Sequence, residues 1–441
     1  MFEISTMKSH TEEQKNISSK AQLKQQVKEL LWRNMIEGEN GGYSFHYTKP
    51  SPETYPFQYF WDTCFHVYTL TALGEHDMAK KHLRSLFGKQ EKSGFVGHII
   101  YWKHTWPGRI FDLFQLHPKS WLKLHKPHMS ALVQPPLVAQ ALQRIYQKTN
   151  DKTFLQEMLP KLKNYYKWLL QHRDFEGNGL LSIISPYESG MDWKASYDPV
   201  LKFKGKGNVR LFWKVLKVDM FNFFKGYNLE KIYEADKFIV KDAAFNTIFA
   251  QNLEAMALLC KEVNDADEAF FRQNSEKCAK SILELMYDAD DEAFYDLAGK
   301  ENRKLKVKTP TIFFPVVLKN IPDEICKKVL HRHLLNPKEF QTKFPIPSLA
   351  IDEPAFNPTE SIYIWRGPTW IMFNWFLHRF MLEKNYPEEA ERLLNSFRKL
   401  IEKSGFREYY NPFTGQGYGA KDFTWSGLVL DMWEMQEEWQ K

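Results

Sequence analysis

Cysteine is scarce in this chain, and long apolar runs are missing from it. The 441 residues include four widely spaced cysteines, Cys64, Cys260, Cys278 and Cys326, and no two of them form a CxxC pair. Neither a zinc site nor a disulfide framework is indicated, and we expect a reduced, cytoplasmic protein. No stretch approaches about 18 uncharged apolar residues and no signal-peptide pattern opens the chain, so we expect no membrane span.

A concentrated charge of one sign is also missing. The net charge of +6 comes from 60 basic and 54 acidic residues spread along the chain. The nearest candidate for a basic stripe, residues 201–207 (LKFKGKG), is short, so neither nucleic acid nor a membrane is expected as a partner. No Gly-rich phosphate loop or nucleophile elbow is recognisable, and we expect no metal and no cofactor. The composition carries no signal for an oligomeric state.

Aromatic residues, in contrast, make up 15% of the chain and must be buried or must line a cleft. Residues 185–193 (SPYESGMDW) and 405–415 (GFREYYNPFTG) each place a carboxyl group, that of Asp192 or of Glu408, among rings, prolines and glycines. Apolar, ring-lined surroundings raise a carboxyl pKa, as a general acid requires. Two such acids point to acid–base chemistry on a sugar.

Tryptophans beside polar residues recur where loops are predicted to meet helices. Residues 55–62 (YPFQYFWD) and 362–370 (IYIWRGPTW) show this pattern, and His98 and Gln134 occupy similar junctions. Sugar rings stack on Trp and Tyr, and their hydroxyls bond to Asp, Arg, Gln or His. The combination suits a pyranose pocket, although aromatic core packing is the alternative for any single Trp.

Helical patterns alternate between two kinds along the chain. Buried-type segments, apolar nearly all round, are predicted at about 60–73, 134–148, 246–263 and 368–382; amphipathic, charged segments are predicted at about 78–90, 153–173, 266–286 and 387–403. Further helices are expected at 18–36 and 424–438, and hardly any run is typical of a strand, apart from short pieces of the loops. The alternation predicts an all-α fold, an (α/α)6 barrel or six-hairpin toroid of inner and outer helices.

Long connections at about 91–133, 175–245 and 339–367 are expected to gather on one rim of this barrel and to build the site. No linker divides the chain. We therefore expect a flexible tail over residues 1–20 and a single catalytic domain over residues 21–441.

An ordered set of motifs resembles glycoside hydrolase family 63 and its bacterial glucosylglycerate and mannosylglycerate hydrolase relatives. The set runs from about residue 40 to the end of the chain and consists of residues 55–63 (YPFQYFWDT), 134–136 (QPP), 188–192 (ESGMD), 344–350 (FPIPSLA), 352–356 (DEPAF), 365–370 (WRGPTW), 408–415 (EYYNPFTG) and 423–425 (FTW). The resemblance implies an (α/α)6 barrel and an inverting mechanism. It also implies Asp192 as the general acid and Glu408 as the general base.

The motifs also carry the predicted substrate-binding residues. By resemblance, Trp61, Asp62, Gln134, Trp365 and Trp370 form the wall of the sugar pocket, and Glu188 supports it. The full predicted set is Tyr55, Trp61, Asp62, His98, Gln134, Glu188, Trp365, Arg366, Gly367 and Trp370. Inversion leaves room for a water between the two carboxyl groups, so they should lie about 6.5–9.5 Å apart.

Three departures from the family are visible. Trp193 follows the acid where the family has a small or polar residue, and Ile364 precedes Trp365 where an aromatic residue is common. Residues 200–228 match poorly, and because this segment should help to form the leaving-group side, the leaving group stays open. The lead hypothesis is an inverting hydrolase of a small α-linked glucoside or mannoside, with a glycosylglycerate as one option. The alternatives are an α-glucosidase for oligosaccharides or glycans, and a non-catalytic sugar-binding protein.

Overall fold

Helices dominate the computed structural model, which describes residues 20–103, 110–124 and 126–441. The α-helices are α1 (20–33), α2 (Phe60–Leu73), α3 (His76–Leu86), α4 (Val138–Thr149), α5 (Lys152–Arg173), α6 (Asp198–Leu201), α7 (Val209–Phe224), α8 (Leu229–Ala235), α9 (Ala243–Glu262), α10 (Glu268–Ser281), α11 (Asp323–Val329), α12 (Ile371–Glu383), α13 (Pro387–Ser404) and α14 (Leu428–Trp439). Shorter 3-10 segments are Ile110–Gln115, Pro118–Lys123, Pro186–Ser189, Ala195–Tyr197, Pro310–Val317 and Thr424–Gly427, and π-helical turns are Ile282–Met286 and Leu330–Leu334.

Short β-strands lie in the loops between the helices. They are β1 (Met35–Asn40), β2 (Tyr43–Thr48), β3 (Gln58–Tyr59), β4 (Ile99–Tyr101), β5 (His128–Met129), β6 (Val240–Lys241), β7 (Tyr287–Asp288), β8 (Ala293–Phe294), β9 (Asp296–Ala298), β10 (Arg303–Leu305), β11 (Arg407–Tyr410) and β12 (Gly417–Lys421). All their pairings are antiparallel, in the orders β1-β2, β3-β4-β5, β10-β9-β6, β7-β8 and β11-β12. Each strand spans only two to six residues, which agrees with the prediction that extended structure is confined to short pieces of the loops.

Six buried elements contact one another in a closed cycle. α2 packs on α4, α4 on α9, α9 on Pro310–Val317, that segment on α12, α12 on α14, and α14 again on α2. The amphipathic elements α3, α5, α10, α11 and α13 each pack on one or two members of the cycle. The alternation of buried and surface helices is thus observed as two sets of elements.

Side-chain composition explains which elements are inner. Every residue of α2 from Phe60 to Ala72 is buried, because its apolar side chains surround the whole helix. The outer helix α13 buries only one face, which includes Leu393, Phe397 and Leu400. Gly74 ends α2 at a φ of 83°, a left-handed conformation that favours glycine.

Two structural features were not predicted from periodicity. Pro310–Val317 (PTIFFPVV) is a fully buried inner element, but Pro315 interrupts the helical pattern that would have marked it. The connection at about 175–245, expected to be a long loop, contains α6, α7 and α8. Helix α3 begins at His76, two positions before the predicted start at about residue 78, and Glu75 occupies its N-cap position.

Three buried ion pairs hold residues 185–201 in place. Arg173 at the end of α5 forms two hydrogen bonds with Glu188, at 2.7 and 2.5 Å. Arg366 binds Asp198 in the same two-pronged way, at 2.8 and 2.5 Å. Because each arginine fork fixes a carboxylate in both distance and orientation, the two ends of this segment are rigidly anchored.

Lys194 forms the third anchor. Its ammonium group is buried between Asp242, the N-cap of α9, and Asp296, whose Oδ2 lies 2.8 Å away. Both carboxyl groups have further donors: Tyr197 donates to Asp242 at 2.7 Å and Ser196 to Asp296 at 2.7 Å. Two positions after Asp192, the chain is therefore tied to an inner helix and to β9.

One main hydrophobic core contains residues from Val27 to Met432. All four cysteines are buried and unpaired, as expected of small core residues. Within residues 20–103, 110–124 and 126–441, no helix has the length and apolarity needed to cross a bilayer. The predicted tail lies, apart from residue 20, outside the described residues, and residue 20 already belongs to α1.

We predict that Lys194→Met lowers the free energy of unfolding by about 3–5 kcal/mol, because two buried carboxyl groups lose their cation. Urea unfolding followed by tryptophan fluorescence measures the change. Lys204→Met, at an exposed position nearby, is the matched control and should leave the unfolding midpoint unchanged. Equal midpoints for the two variants would show that the buried ion pair is dispensable.

Candidate active site

A cavity of about 320 Å³ opens where several loops meet above the inner helices. Asp192 and Glu408 both line it. The other lining residues are Glu53, Thr54, Tyr55, Pro56, Phe57, Tyr59, Trp61, Asp62, His98, Ile99, Asp112, Gln115, Gln134, Tyr187, Gly190, Trp193, Ile362, Ile364, Trp365, Trp370, Phe423 and Trp425. The two acids predicted from distant parts of the sequence therefore share one site.

Glu408 is presented by β11 and held by two donors. Its Oε1 accepts a hydrogen bond from the Tyr55 hydroxyl at 2.7 Å, and its Oε2 accepts one from the backbone N–H of Ala420 on β12 at 2.8 Å. Gly419 makes this possible, because a Cβ at that position would lie 2.5 Å from Oε2. The carboxyl group is thus fixed in orientation while it borders the cavity.

The charges of Asp192 and Glu408 both affect the pKa of the Tyr55 hydroxyl. Burial raises the pKa of its hydroxyl well above the ordinary value, and the charge and hydrogen bond of Glu408 and the charge of Asp192 raise it further. The hydroxyl therefore stays protonated and acts as a donor to Glu408. The influence of both carboxyl groups on this one hydroxyl agrees with their shared position at the cavity.

Asp192 follows the short 3-10 segment Pro186–Ser189. That segment is capped by Ser185, which accepts a hydrogen bond from the N–H of Tyr187 at 3.4 Å. Gly190 follows at a φ of 70°, and a Cβ there would lie 2.3 Å from the ring of Trp61. The chain before Asp192 therefore lies flat against the indole of Trp61, which only glycine permits.

Asp62 lies in the first turn of α2 and forms part of the cavity wall. Its Oδ1 accepts a hydrogen bond from the indole N–H of Trp425 at 2.8 Å. Burial raises the pKa of Asp62 to about 7, although the bond from Trp425 opposes the rise. Beside it, Gln134 accepts a hydrogen bond from the backbone N–H of Trp61 at 3.1 Å, which orients the Gln134 amide at the wall.

Stacked indoles form another part of the wall. The rings of Trp365 and Trp370 are nearly parallel, with centroids 3.6 Å apart, and Trp370 also stacks on Tyr409 at 5.0 Å. Trp61 stands perpendicular to Trp425 at 5.2 Å. Such aromatic surfaces, with Asp62 and Gln134 between them, can bind the apolar face and the hydroxyls of a sugar ring.

His98 lines the cavity as a neutral group. Its Nδ1 lies 2.6 Å from the hydroxyl of Ser130, and burial lowers its pKa to about 3. Near neutral pH the imidazole therefore carries no charge and can exchange only hydrogen bonds with a ligand.

Three predicted binding residues lie away from the cavity lining. Glu188 is fully buried and, besides Arg173, accepts hydrogen bonds from the N–H groups of Val133 and Ile184 at 3.0 and 2.7 Å. Arg366 is bound to Asp198, and the N–H of Gly367 donates to Ser348 at 2.9 Å. The structure therefore gives these three residues structural contacts, because their polar groups are used inside the protein.

Several lining residues were missed by sequence reasoning. Asp112 and Gln115 belong to the 3-10 segment Ile110–Gln115, whose sequence carries no recognisable motif. Tyr59 and Tyr187 lie within the quoted stretches but have no distinguishing neighbour. Trp193 was recognised only as a departure from the family pattern next to Asp192. That departure is the sequence signal that could have marked Trp193 as a lining residue.

Known proteins resemble this chain over most of its length. It is 26% identical over 419 residues to a mannosylglycerate hydrolase of Rubrobacter radiotolerans, a match covering 87% of this chain and 92% of the relative. It is 24% identical over 433 residues to a glucosylglycerate hydrolase of Mycolicibacterium hassiacum, covering 88% and 93%. The crystal structure of a family 63 mannosylglycerate hydrolase from Thermus thermophilus with Tris and D-glycerate superposes with a TM-score of 0.79 at 25% identity, covering 93% of this chain and 100% of the other.

The cavity with its two acids and these similarities define a glycoside hydrolase that acts on small carbohydrates. More particularly, the chain belongs to the mannosylglycerate hydrolase MGH1-like glycoside hydrolase family, whose domain matches residues 55–426. The predicted resemblance to family 63 is confirmed. An enzyme is thereby favoured over a non-catalytic sugar-binding protein.

We predict that Gly419→Ala lowers kcat for an α-glucoside by about 100-fold, because the new Cβ displaces the Glu408 carboxyl group. Gly42→Ala is the matched control: Gly42 also has a positive φ, of 79°, but no atom lies within 4 Å of its added Cβ. Steady-state kinetics and thermal melting of both variants separate the site effect from backbone strain. A similar loss of kcat in both variants would contradict the prediction.

Proposed function

We propose that this protein is an inverting glycosidase that cleaves an α-linked glucoside or mannoside, with Asp192 as general acid and Glu408 as general base. The observation that carries the proposal is that these two acids line one cavity together with stacked indoles. The names of the relatives, mannosylglycerate and glucosylglycerate hydrolase, support mannose or glucose as the glycone.

The proposed reaction is a single displacement. Asp192, in its protonated form, gives its proton to the glycosidic oxygen as the bond from that oxygen to the anomeric carbon breaks. Glu408, as a carboxylate, takes a proton from a water whose oxygen attacks the anomeric carbon from the opposite face. The products are a free sugar of inverted configuration and the leaving group as an alcohol, and solvent returns both acids to their starting protonation states.

The surroundings of Glu408 suit the role of base. Two donors, the Tyr55 hydroxyl and the Ala420 N–H, bind its oxygens, and hydrogen bonds to a carboxylate stabilise its charged form. The same two bonds leave the carboxyl group little rotational freedom, so that less reorganisation is needed when the water is deprotonated.

We assign the glycone pocket to Trp61, Asp62, Gln134, Trp365 and Trp370, and His98 contributes a neutral hydrogen-bonding group. The support is their shared cavity and the fixed orientations of Asp62 and Gln134. Because the pKa of Asp62 is raised to about 7, this carboxyl group can donate or accept a hydrogen bond with a sugar hydroxyl near neutral pH.

We further propose that the cycle of six inner elements is the inner layer of an (α/α)6 barrel, and that residues 21–441 form one catalytic domain. The closed contact cycle, the outer helices packed on it and the continuous core from Val27 to Met432 support both statements. The cytoplasmic location and the independence from metals and cofactors stay predictions from the sequence.

The stereochemical prediction is that an α-glucoside first releases β-glucose. Proton NMR during the first minutes, before mutarotation equilibrates the anomers, measures the ratio directly. The anomeric signal should appear in the β position and then relax towards equilibrium. An initial α-product would rule out inversion, and with it the assignment of Glu408 as a base that activates water.

We also predict that Asp192→Asn and Glu408→Gln each lower kcat by about 100- to 10,000-fold, because each removes one proton-transfer partner. Asp323→Asn and Glu324→Gln make the same chemical changes at neighbouring positions on α11 whose side chains are 81% exposed. These controls should retain wild-type kcat. Full turnover by either site variant would contradict the proposed mechanism.

A further inference from the structure

The cavity wall beside the proposed acid is aromatic and apolar. Trp193 follows Asp192 directly and lines the same cavity. Its ring lies 6.2 Å from that of Tyr187 and 5.4 Å from that of Tyr363, at steep angles in both contacts. We call the four cavity-lining residues Trp193, Tyr187, Ile362 and Ile364 the acid-side wall.

Trp193 is supported from behind by α7. The ring of Phe212 lies 6.4 Å from it at an angle of 33°, so the indole is braced on three sides. Trp193 is 8% exposed, compared with 1–4% for the cavity tryptophans Trp61, Trp365, Trp370 and Trp425. Among the tryptophans of this cavity, Trp193 is therefore the most exposed residue.

The position of this wall follows from the reaction. A general acid must stand at the glycosidic oxygen, which joins the glycone to the leaving group. Gly190, on the other side of Asp192, lies against Trp61 of the glycone pocket. The acid thus separates two aromatic surfaces, and Trp193 belongs to the leaving-group side.

The charge of the lining points in the same direction. Five carboxylic acids line the cavity: Glu53, Asp62, Asp112, Asp192 and Glu408. Among the described residues that line it, none is a lysine or an arginine. Because Glu408 is the proposed carboxylate base and the described lining offers no cation, a leaving group with a carboxylate of its own would meet a charge of the same sign, whereas the hydroxyls of a neutral one find acceptors.

We propose that the leaving group is a neutral sugar that stacks on Trp193, so that α-linked disaccharides or short oligosaccharides are better substrates than glycosylglycerates. This inference rests on the function proposed above and sets the chain apart from the glycerate-cleaving names of its relatives. Trp193 is then a residue that determines specificity for the leaving group.

The first test compares substrates with the wild-type enzyme. The panel contains α-1,2-, α-1,3-, α-1,4- and α-1,6-linked disaccharides of glucose and of mannose, glucosylglycerate, mannosylglycerate and methyl α-glucoside. We expect kcat/KM for the best disaccharide to exceed that for either glycerate by at least about tenfold, equivalent to one lost contact of about 1.4 kcal/mol.

The second test uses variants of the wall. Trp193→Ala should raise KM for the best disaccharide about tenfold and should change KM for methyl α-glucoside, which has no second ring, by a clearly smaller factor. Trp193→Phe keeps an aromatic face and should restore most of the loss. Trp439→Ala removes an indole that is 43% exposed on α14 and should change neither substrate.

The outcomes separate this inference from the proposed function. Inverting hydrolysis with a preference for a glycerate would overturn the inference and leave the function intact. Equal losses with the disaccharide and methyl α-glucoside in Trp193→Ala would show that Trp193 does not read the leaving group. Failure to hydrolyse any α-glycoside of the panel would overturn both.

Discussion

Buried carboxyl groups need donors, and in this protein their pairing holds together the loops that line the cavity. Glu188, Lys194 and Asp198 precede and follow Asp192, and each is bound to a buried partner of opposite charge from another part of the chain. Leaving any of these buried charges unpaired would destabilise the folded protein. The ion pairs therefore favour a single position for the segment around Asp192. The aromatic cavity and the orientation of its acids depend on that position.

The surrounding fold holds both of the proposed catalytic acids, Glu408 and Asp192. Glu408 accepts hydrogen bonds directly from the backbone of β12 and from the Tyr55 hydroxyl, and these bonds fix the orientation of its carboxyl group. The chain on both sides of Asp192 is fixed by the close contact of Gly190 with Trp61 and by the anchored ammonium group of Lys194. The fold thus limits the movement of both acids at the cavity.

Much of the inner layer could be predicted, because residues such as Phe60 and Leu70 on α2 repeat without a polar face. The 310–317 segment was not predicted because Pro315 interrupts its helical periodicity. The positions of the individual strands were not predicted because each strand spans only two to six residues. For the site, Asp62 and Gln134 were found through motifs, whereas Asp112 and Gln115 have no local pattern. Glu188 and Arg366 have the residue types of a sugar site but are used in ion pairs, which no sequence pattern distinguishes.

The sequence by itself determined the helical class of the protein, the alternation of inner and outer helices and the family, because periodicity and motifs are local properties of the chain. Only the tertiary structure decided which polar residues reach the cavity. Asp192 and Glu408 share it, and Glu188 does not, although it lies four positions from Asp192. The physical reason is the tertiary position of each carboxyl group: Glu188 is fully buried in an ion pair with Arg173, whereas Glu408 borders the cavity although two protein donors also bind it.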